Sequence, residues 1–506
     1  MNEIKLKPTE IFEEYRTGKA FKTQINLYEN VKRNENFYIG KQWEGVNAPN
    51  LPKPTLNILK RVVSYFISMI VSDDVCARVN LATGHPNREQ QQLFAAVTEE
   101  IDGIIEQNKV KSQNRQMLRD GAVDGDACLY AWFDPNIKTD NLTQGAVKTE
   151  ILSNTEVYFG NPNISDVQKQ PYILLAFKKF VGNVTTANGK EILPNMTDTY
   201  GDKGAQTVTV IRKLYKEKGV VWATEVTDSE VIKKPIKLGY SLYPLVWFSW
   251  EKVKNCYHGQ SCMTPVIQNQ IDINRLFAMC IKQVKDGAFP KILYNKSMLP
   301  DGWDNKVGSA IGVIGDVNQA VVRSTGVSEM SRQVLDMISL LIEYTKETMG
   351  ASDTALGNVD PKNTSAIIAL QKSSAMPLEL QKLDFYAAVE DYARVFLDII
   401  SVNYGKRFTE IKGDDGEIKP VIIDFDLLRK MQLRVNVDVG QTSYFSDIAS
   451  IATLDNLFEK GILTDVEAYI ECLPKGTVQN KEKILKMVRE NKKGEEILPE
   501  NKEGIV

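Results

Sequence analysis

The stretch ETMGASDTALGNVDPKNTSAIIALQ, residues 347–371, interrupts what would otherwise be one very long helical pattern. It follows SLLIEYTKETMG and runs into TSAIIALQKSS, and it contains two Gly, two Asn, two Asp and one Pro. Glycine and Asx residues favour turns, and Pro361 has no N–H to give to a helix ladder. The stretch is therefore expected to be a loop joining two helices. The fold follows from what lies on either side of it.

Upstream, residues 264–288 repeat apolar side chains at three- and four-residue steps (Val266, Ile273, Phe277, Cys280, Val284), with Asp272, Arg275, Lys282 and Lys285 on other faces. That spacing predicts an amphipathic helix, ended by Pro290. A second helix is expected over 328–349, striped by Met330, Val334, Met337, Leu341 and Tyr344. Between them, residues 289–326 read as a small β-rich insertion with Gly and Asp turns. Downstream, 365–403 reads as a third helix. Pro377 inside it predicts a kink near 374–376, because proline removes a helix hydrogen bond and clashes with the preceding turn.

Further out, helical periodicity covers 13–38, 56–71, 89–107 and 112–123. DACLYAWFD, from Asp126, then switches to strand chemistry, and TEVYF, YILLAFKKFV, TVTVIRKLYK, GVVWATEVT and PLVWFSW alternate apolar with polar residues. No helix-length connection separates these runs, so antiparallel pairing is expected. PVIIDFD and LRVNVDV return the chain to a sheet after the third helix. Residues 446–489 read as helical, and the charged, Pro-interrupted end 491–506 reads as a mobile tail. The fold class is α+β.

Composition bounds the function. The chain has 506 residues, 62 basic against 65 acidic side chains and a formal charge of -3, so no basic excess advertises nucleic-acid binding. The longest apolar run, Val62 to Val71, is half of the roughly 20 residues that span a bilayer. The stretch MNEIKLKPTEIFEEY shows no apolar core followed by a small-residue cleavage site, so secretion is not expected, and six scattered cysteines fit reduced, buried thiols in a cytosolic chain. Cys256, His258 and Cys262 fit no zinc spacing. GNVTTANGKE at 182–191 has six residues between its glycines where a phosphate loop needs four, and Glu191 where a hydroxyl belongs, so it reads as a hairpin turn at Asn188-Gly189. Only His85 and His258 are present, without a nucleophile and acid at a motif spacing. Asp73-Asp74 and Asp414-Asp415 read as solvated carboxylates. The chain is not expected to be an enzyme, and no cofactor or metal site is expected.

The order helix, small β insertion, helix, polar loop, long kinked helix, flanked by mixed α/β sequence, resembles the portal proteins of tailed bacteriophages, of the kind found in phages of Firmicutes. NVKRNENFYIGKQWEG (30–45) with PKPTLNILKRVVSYFISMIVSDDV (52–75) is similar to the opening of that family, and LRDGAVDGDACLYAWFD (118–134) to its helix followed by a strand. TMGASDTALGNVDPKNTSAIIALQKSSAMPLELQKLDFYAAVEDYARVFL (348–397) is similar to its central loop and kinked helix, and the likeness covers roughly residues 25–440.

The resemblance implies a portal fold: an α/β wing over 1–255, stem helices over 256–288 and 327–350, a clip at 289–326, a channel loop at 351–364, a kinked helix and return to the wing over 365–440, and a helical crown over 441–490. It implies that Asp353, Asn358, Asp360, Lys362 and Asn363 face the channel, that Pro377 marks the helix kink, and that Met298, Asp301, Trp303, Asp304 and Lys306 of the clip dock other proteins. It further implies a dodecameric ring at one capsid vertex of the virion, assembled in the host cytoplasm, through which double-stranded DNA is packaged and ejected. The implied partners are the terminase large subunit, a head-tail adaptor, and the major capsid and scaffolding proteins, with no membrane. With Asp353 and Asp360 against a single Lys362, the loop suits weak contact with passing DNA, since densely placed cations would hold it.

Two other classes are weighed. A catalytic packaging motor needs the phosphate loop and metal carboxylates that the sequence does not supply. A membrane-acting ring needs a long apolar helix or an amphipathic hairpin.

Overall fold

A computed structural model describes residues 7–71, 74–81, 87–187, 189, 199–200, 205–288, 292–299, 301–302, 312–324, 332–351, 376–412, 418–431, 433–440, 444–461, 463, 466–473, 484–485 and 487. Within them the chain is α+β, with every paired strand antiparallel.

The single helix expected over 13–38 is two helices, Pro8–Gln24 and Leu27–Ile39. Asn26 breaks them at φ 55°, a left-handed conformation that Asn tolerates better than most residues. Ile58–Val71, Arg88–Gln107 and Val110–Asp124 follow the periodicity closely. Asn87 starts the second of these with a reciprocal capping box to Gln90. Gly125, at φ 98°, ends the third, and a Cβ there would come within 2.7 Å of the Gly259 carbonyl oxygen.

Strand Asp126–Asp134 lies between Leu245–Ser249 and Ala146–Ser153 in a three-stranded sheet. A larger sheet runs through Val157–Phe159, Tyr172–Phe180, Ala205–Glu217, Val220–Val226 and Val231–Lys237, with Thr199–Tyr200 pairing the third of these. Its last strand, VIKKPIK, is guarded by Pro235 and three lysines, which discourage pairing at an open edge.

The helix Glu379–Asn403 lies across the small sheet, and Phe385, Tyr392 and Phe396 join Phe66, Ile101 and Phe248 in one core. Strand Leu433–Gly440 pairs with Asp74–Leu81 in the register Leu433 to Leu81 and Gly440 to Asp74. The C-terminal return thus completes the N-terminal unit, as the sequence reading expects. Its partner strand is unexpected, as are Ala146–Ser153 and Lys406–Lys412, the latter paired with Ile418–Asp424. Two helices, Tyr444–Glu459 and Val466–Cys472, follow in the described C-terminal part.

Candidate functional site

One feature leaves this body: the helix Ile267–Ala288 goes out, and the helix Arg332–Thr348 comes back against it. Both meet the core at the same end. Ile267 and Ala351 are fully buried in it, whereas residues 284–288 of the outgoing helix are exposed. The two helices are therefore antiparallel.

The base of the outgoing helix is fixed by buried amides. Gln270 Nε2 donates to the Leu56 carbonyl at 2.6 Å, and its Oε1 accepts from the Ile58 amide at 3.3 Å. Asn274 Oδ1 accepts from the Leu56 amide, and its Nδ2 donates to Gln42 Oε1 at 2.5 Å. Gln42 in turn donates to the Phe37 carbonyl, and Asn34 donates to Thr264 Oγ1. Gln42, Gln270 and Asn274 bond through both ends or to one another and so specify one arrangement, because a slip leaves several polar groups unpaired. The sequence carried a signal for this ladder: Gln270 and Asn274 stand four residues apart on the side of the helix that also holds Ile267. The periodicity reading passed over it by tracking apolar residues only.

Along their length the outgoing helix also buries Ile273, Ala278 and Cys280, and the returning helix buries Ile338 and Thr345, but large apolar side chains stay open. On the outgoing helix Met279 and Val284 are 56% and 61% exposed; on the returning helix Leu335, Met337, Leu340 and Tyr344 are between 42% and 54% exposed. Val284, Met337 and Tyr344, on the apolar stripes expected of the two helices, lie open in the single chain.

At the far end, strand Ile292–Tyr294 pairs with Val321–Ser324. Met298 and Leu299 follow in a turn held by the Asn295 carbonyl, and Leu299 is buried. Asp301 is exposed. Trp303, Asp304 and Lys306 lie outside the described residues.

The returning helix ends in a Schellman motif. The Ala351 amide reaches the Lys346 carbonyl and the Gly350 amide the Glu347 carbonyl, both at 2.9 Å, with Gly350 at φ 79°. Asp353, Asn358, Asp360, Lys362 and Asn363 lie outside the described residues. The chain is described again from Met376, where Pro377 sits in a 3-10 turn, Met376–Leu378, that leads into the helix from Glu379. Pro377 thus opens the described helix, a position where its missing N–H costs nothing; the helical stretch expected before it lies outside the described residues.

Beside the base, the helix Leu27–Ile39, the turn 40–46 and the outgoing helix enclose a cleft of about 660 Å³ with Lys32, Arg33, Lys41 and Arg275 on its walls and Phe37 and Ile271 among its apolar lining. Trp43 is pinned there by its indole N–H to the Pro54 carbonyl at 2.7 Å.

His258 has an acidic partner that sequence spacing did not reveal. Its Nδ1 is 2.8 Å from Asp126 Oδ2, while Asp126 Oδ1 accepts from Ser249 Oγ and the Gly259 amide, each at 2.7 Å. Burial holds the imidazole below its ordinary pKa, and its buried Nε2 has no hydrogen-bond partner among the described residues. Asp126 thus ties its own strand to Ser249 of the neighbouring strand and to His258 and Gly259 in the lead into the outgoing helix. Nearby, Lys22 is fully buried and donates to the Asn154 and Val157 carbonyls at 2.6 Å over the Tyr158 ring. Burial lowers its pKa well below the usual lysine range.

Among the described residues, no group of three or more His, Cys, Asp or Glu is placed to hold a metal ion, and no helix is long and apolar enough to cross a membrane. Compared with known proteins, the chain matches no family model and no curated protein.

Proposed function

We propose that the chain is a tailed-bacteriophage portal protein: a ring-forming conduit for double-stranded DNA at one capsid vertex, and a docking platform for the terminase motor and the head-tail adaptor. The observation that carries the reading is the antiparallel helix pair, anchored at one end, capped by a small strand pair at the other, and exposing large apolar side chains along its length. Such a pair leaves large apolar side chains available for burial against further copies of the chain. A head-to-tail contact that closes on rotation gives each subunit two neighbours and yields a ring.

In this reading the helix pair is the stem, residues 289–326 are the clip, the sheets with the long helix are the wing, and the region after Ala351 supplies the channel loop. A balanced charge suits a conduit, because affinity for DNA rises with the number of phosphates neutralised. Replacing residues 298–306 by a short Gly-Ser linker tests the docking role. Rings that form normally but no longer bind the motor are expected; undiminished motor binding by such rings would remove the clip assignment.

A further inference from the structure

We infer that the ring closes through one defined helix-to-helix contact, in which the Asp336-Leu340-Glu343 face of one copy's returning helix seats on the Lys282-Met279-Arg275 face of the next copy's outgoing helix. The inference rests on the portal reading for the existence of a ring and adds which surfaces meet and in what register.

Both faces are regular stripes. Asp336, Leu340, Glu343 and Glu347 recur at four, three and four residues, and Arg275, Met279, Lys282 and Asp286 do the same. This spacing keeps each set on one side of its helix. On the returning helix the stripe lies opposite Ile338 and Thr345, which are buried; on the outgoing helix it lies away from Ile267, Gln270 and Asn274. Neither stripe is thus used in packing the two helices together.

Each stripe has an apolar centre between charged residues: Asp336, Glu343 and Glu347 are all acidic, whereas Arg275 and Lys282 are basic, with the acidic Asp286 beyond them. Met279 is 56% exposed and Leu340 is 42% exposed, at the centres. The acidic stripe carries Asp336 and Glu343; the other carries Lys282 and Arg275, whose ion pairs among the described residues are the local surface pairs with Asp286 at 3.5 Å and Asp272 at 3.9 Å. Two acidic faces, or two basic ones, repel. The contact is therefore heterologous, the kind that makes rings rather than closed pairs.

Axial levels supply the register. The pair enters the core at Ile267 on one helix and at Ala351 on the other. Counting away from those points, Arg275 and Glu343 are each eight residues out, about 12 Å at 1.5 Å per residue, and Lys282 and Asp336 are each fifteen out, about 22 Å. Met279 and Leu340 fall at one level between them. Glu347 then stands level with Ile271, on the wall of the cleft that carries Lys32, Arg33 and Lys41 together with Glu29 and Glu44. Two neighbouring antiparallel helices thus present opposite charges at matching heights around a methionine-leucine contact. Exposed ion pairs contribute little affinity singly, but like charges placed opposite one another select against the wrong partner.

The test uses two full-length variants. D336K/E343K has two basic faces, and R275E/K282E has two acidic ones. Each alone should fail to form rings under conditions where the unaltered chain forms them, with an unchanged circular-dichroism melt showing that the subunit still folds. Mixed in equal amounts they should assemble again, in rings that alternate the two variants, and the quadruple variant should assemble by itself. Unimpaired rings from either variant alone, or no recovery in the mixture and in the quadruple variant, would overturn the proposed register while leaving the ring intact. Failure of the unaltered chain to assemble under any condition would instead overturn the portal reading, and the inference with it. Met279→Cys and Leu340→Cys in one chain give a check independent of charge: oxidation should link copies into a ladder of covalent multimers, and linkage no faster than in either single variant counts against the contact.

Discussion

Gly350 and Pro377 touch across the point where the returning helix ends: a Cβ placed on Gly350 would lie 3.0 Å from the Pro377 Cβ. The chain leaves the core at Ala351 and re-enters it at Leu378, so this contact draws together the two ends of the intervening region. Gly350→Ala should destabilise the subunit by about 1–2 kcal/mol from its left-handed backbone alone, and by more from the close approach. In a Pro377→Gly background the steric part of the loss should vanish and the backbone part remain, which urea denaturation of the four proteins measures. An alanine variant as stable as the parent would contradict this account of the turn.

The amide ladder at the helix base gives a second expectation. Gln270→Leu keeps the volume but removes the bonds of Gln270 to the Leu56 carbonyl and the Ile58 amide, part-buried groups that still bond to each other at 2.9 Å. A loss of about 1–3 kcal/mol is expected, from two hydrogen bonds at about 0.5–1.5 kcal/mol each. Thermal melts of the variant should show it; an unchanged or raised melting temperature would mean that water or a neighbour takes over those bonds.

A third expectation concerns pH. Asp124 ends its helix, where the backbone dipole disfavours an anion, and its Oδ1 has no hydrogen-bond partner among the described residues. Burial, with the nearby Asp120 carboxylate next, pushes its carboxyl up to about 7. The folded pKa is raised above the unfolded value, so the native state holds a proton that the unfolded chain releases. The stabilising effect of that proton is present below about pH 4 and is lost as pH rises toward 7. Asp124→Asn imitates the protonated form. Its stability relative to the parent should therefore climb by up to about 1.4 kcal/mol per pH unit between 4 and 7 and then level off. A difference that stays flat across a pH series of denaturation curves would show that the carboxylate is solvated.

Most elements were legible in the sequence, because hydrophobic period and turn chemistry act locally. Val110–Asp124, Asp126–Asp134 and the helix pair show that legibility. What escaped was set by distance along the chain. Asp74–Leu81 becomes a strand only because Leu433–Gly440 pairs with it, and nothing within its own eight residues says so. Gln42 and Asn274 are 232 residues apart, and Asp126 and His258 are 132 apart, so neither pair announces itself as a motif. The exposed state of Met337 and Tyr344 was likewise hidden, since an amphipathic stripe reads the same whether it packs on its own chain or on another.

The stretch 351–364, expected from its composition to be a loop and from the family resemblance to be a channel loop, yields a fourth expectation. Asp353→Lys with Asp360→Lys adds four units of positive charge per subunit, repeated around a ring. Surface changes of this kind usually alter stability by no more than about 0.5 kcal/mol, so folding and assembly should survive. If the loop faces DNA, packaging should stall at low salt and recover as salt screens the new charges. Packaging at the parent rate in low salt, by rings of normal size, would exclude the channel position.

The central claim is that this chain is a subunit of a closed ring with an axial channel, and the mass and end-on image of the purified assembly test it most directly. The account predicts particles of twelve times the 56.9 kDa chain mass, with an open centre in the view down the symmetry axis. A single-chain mass at every concentration and salt condition, with no ring in the images, would contradict it.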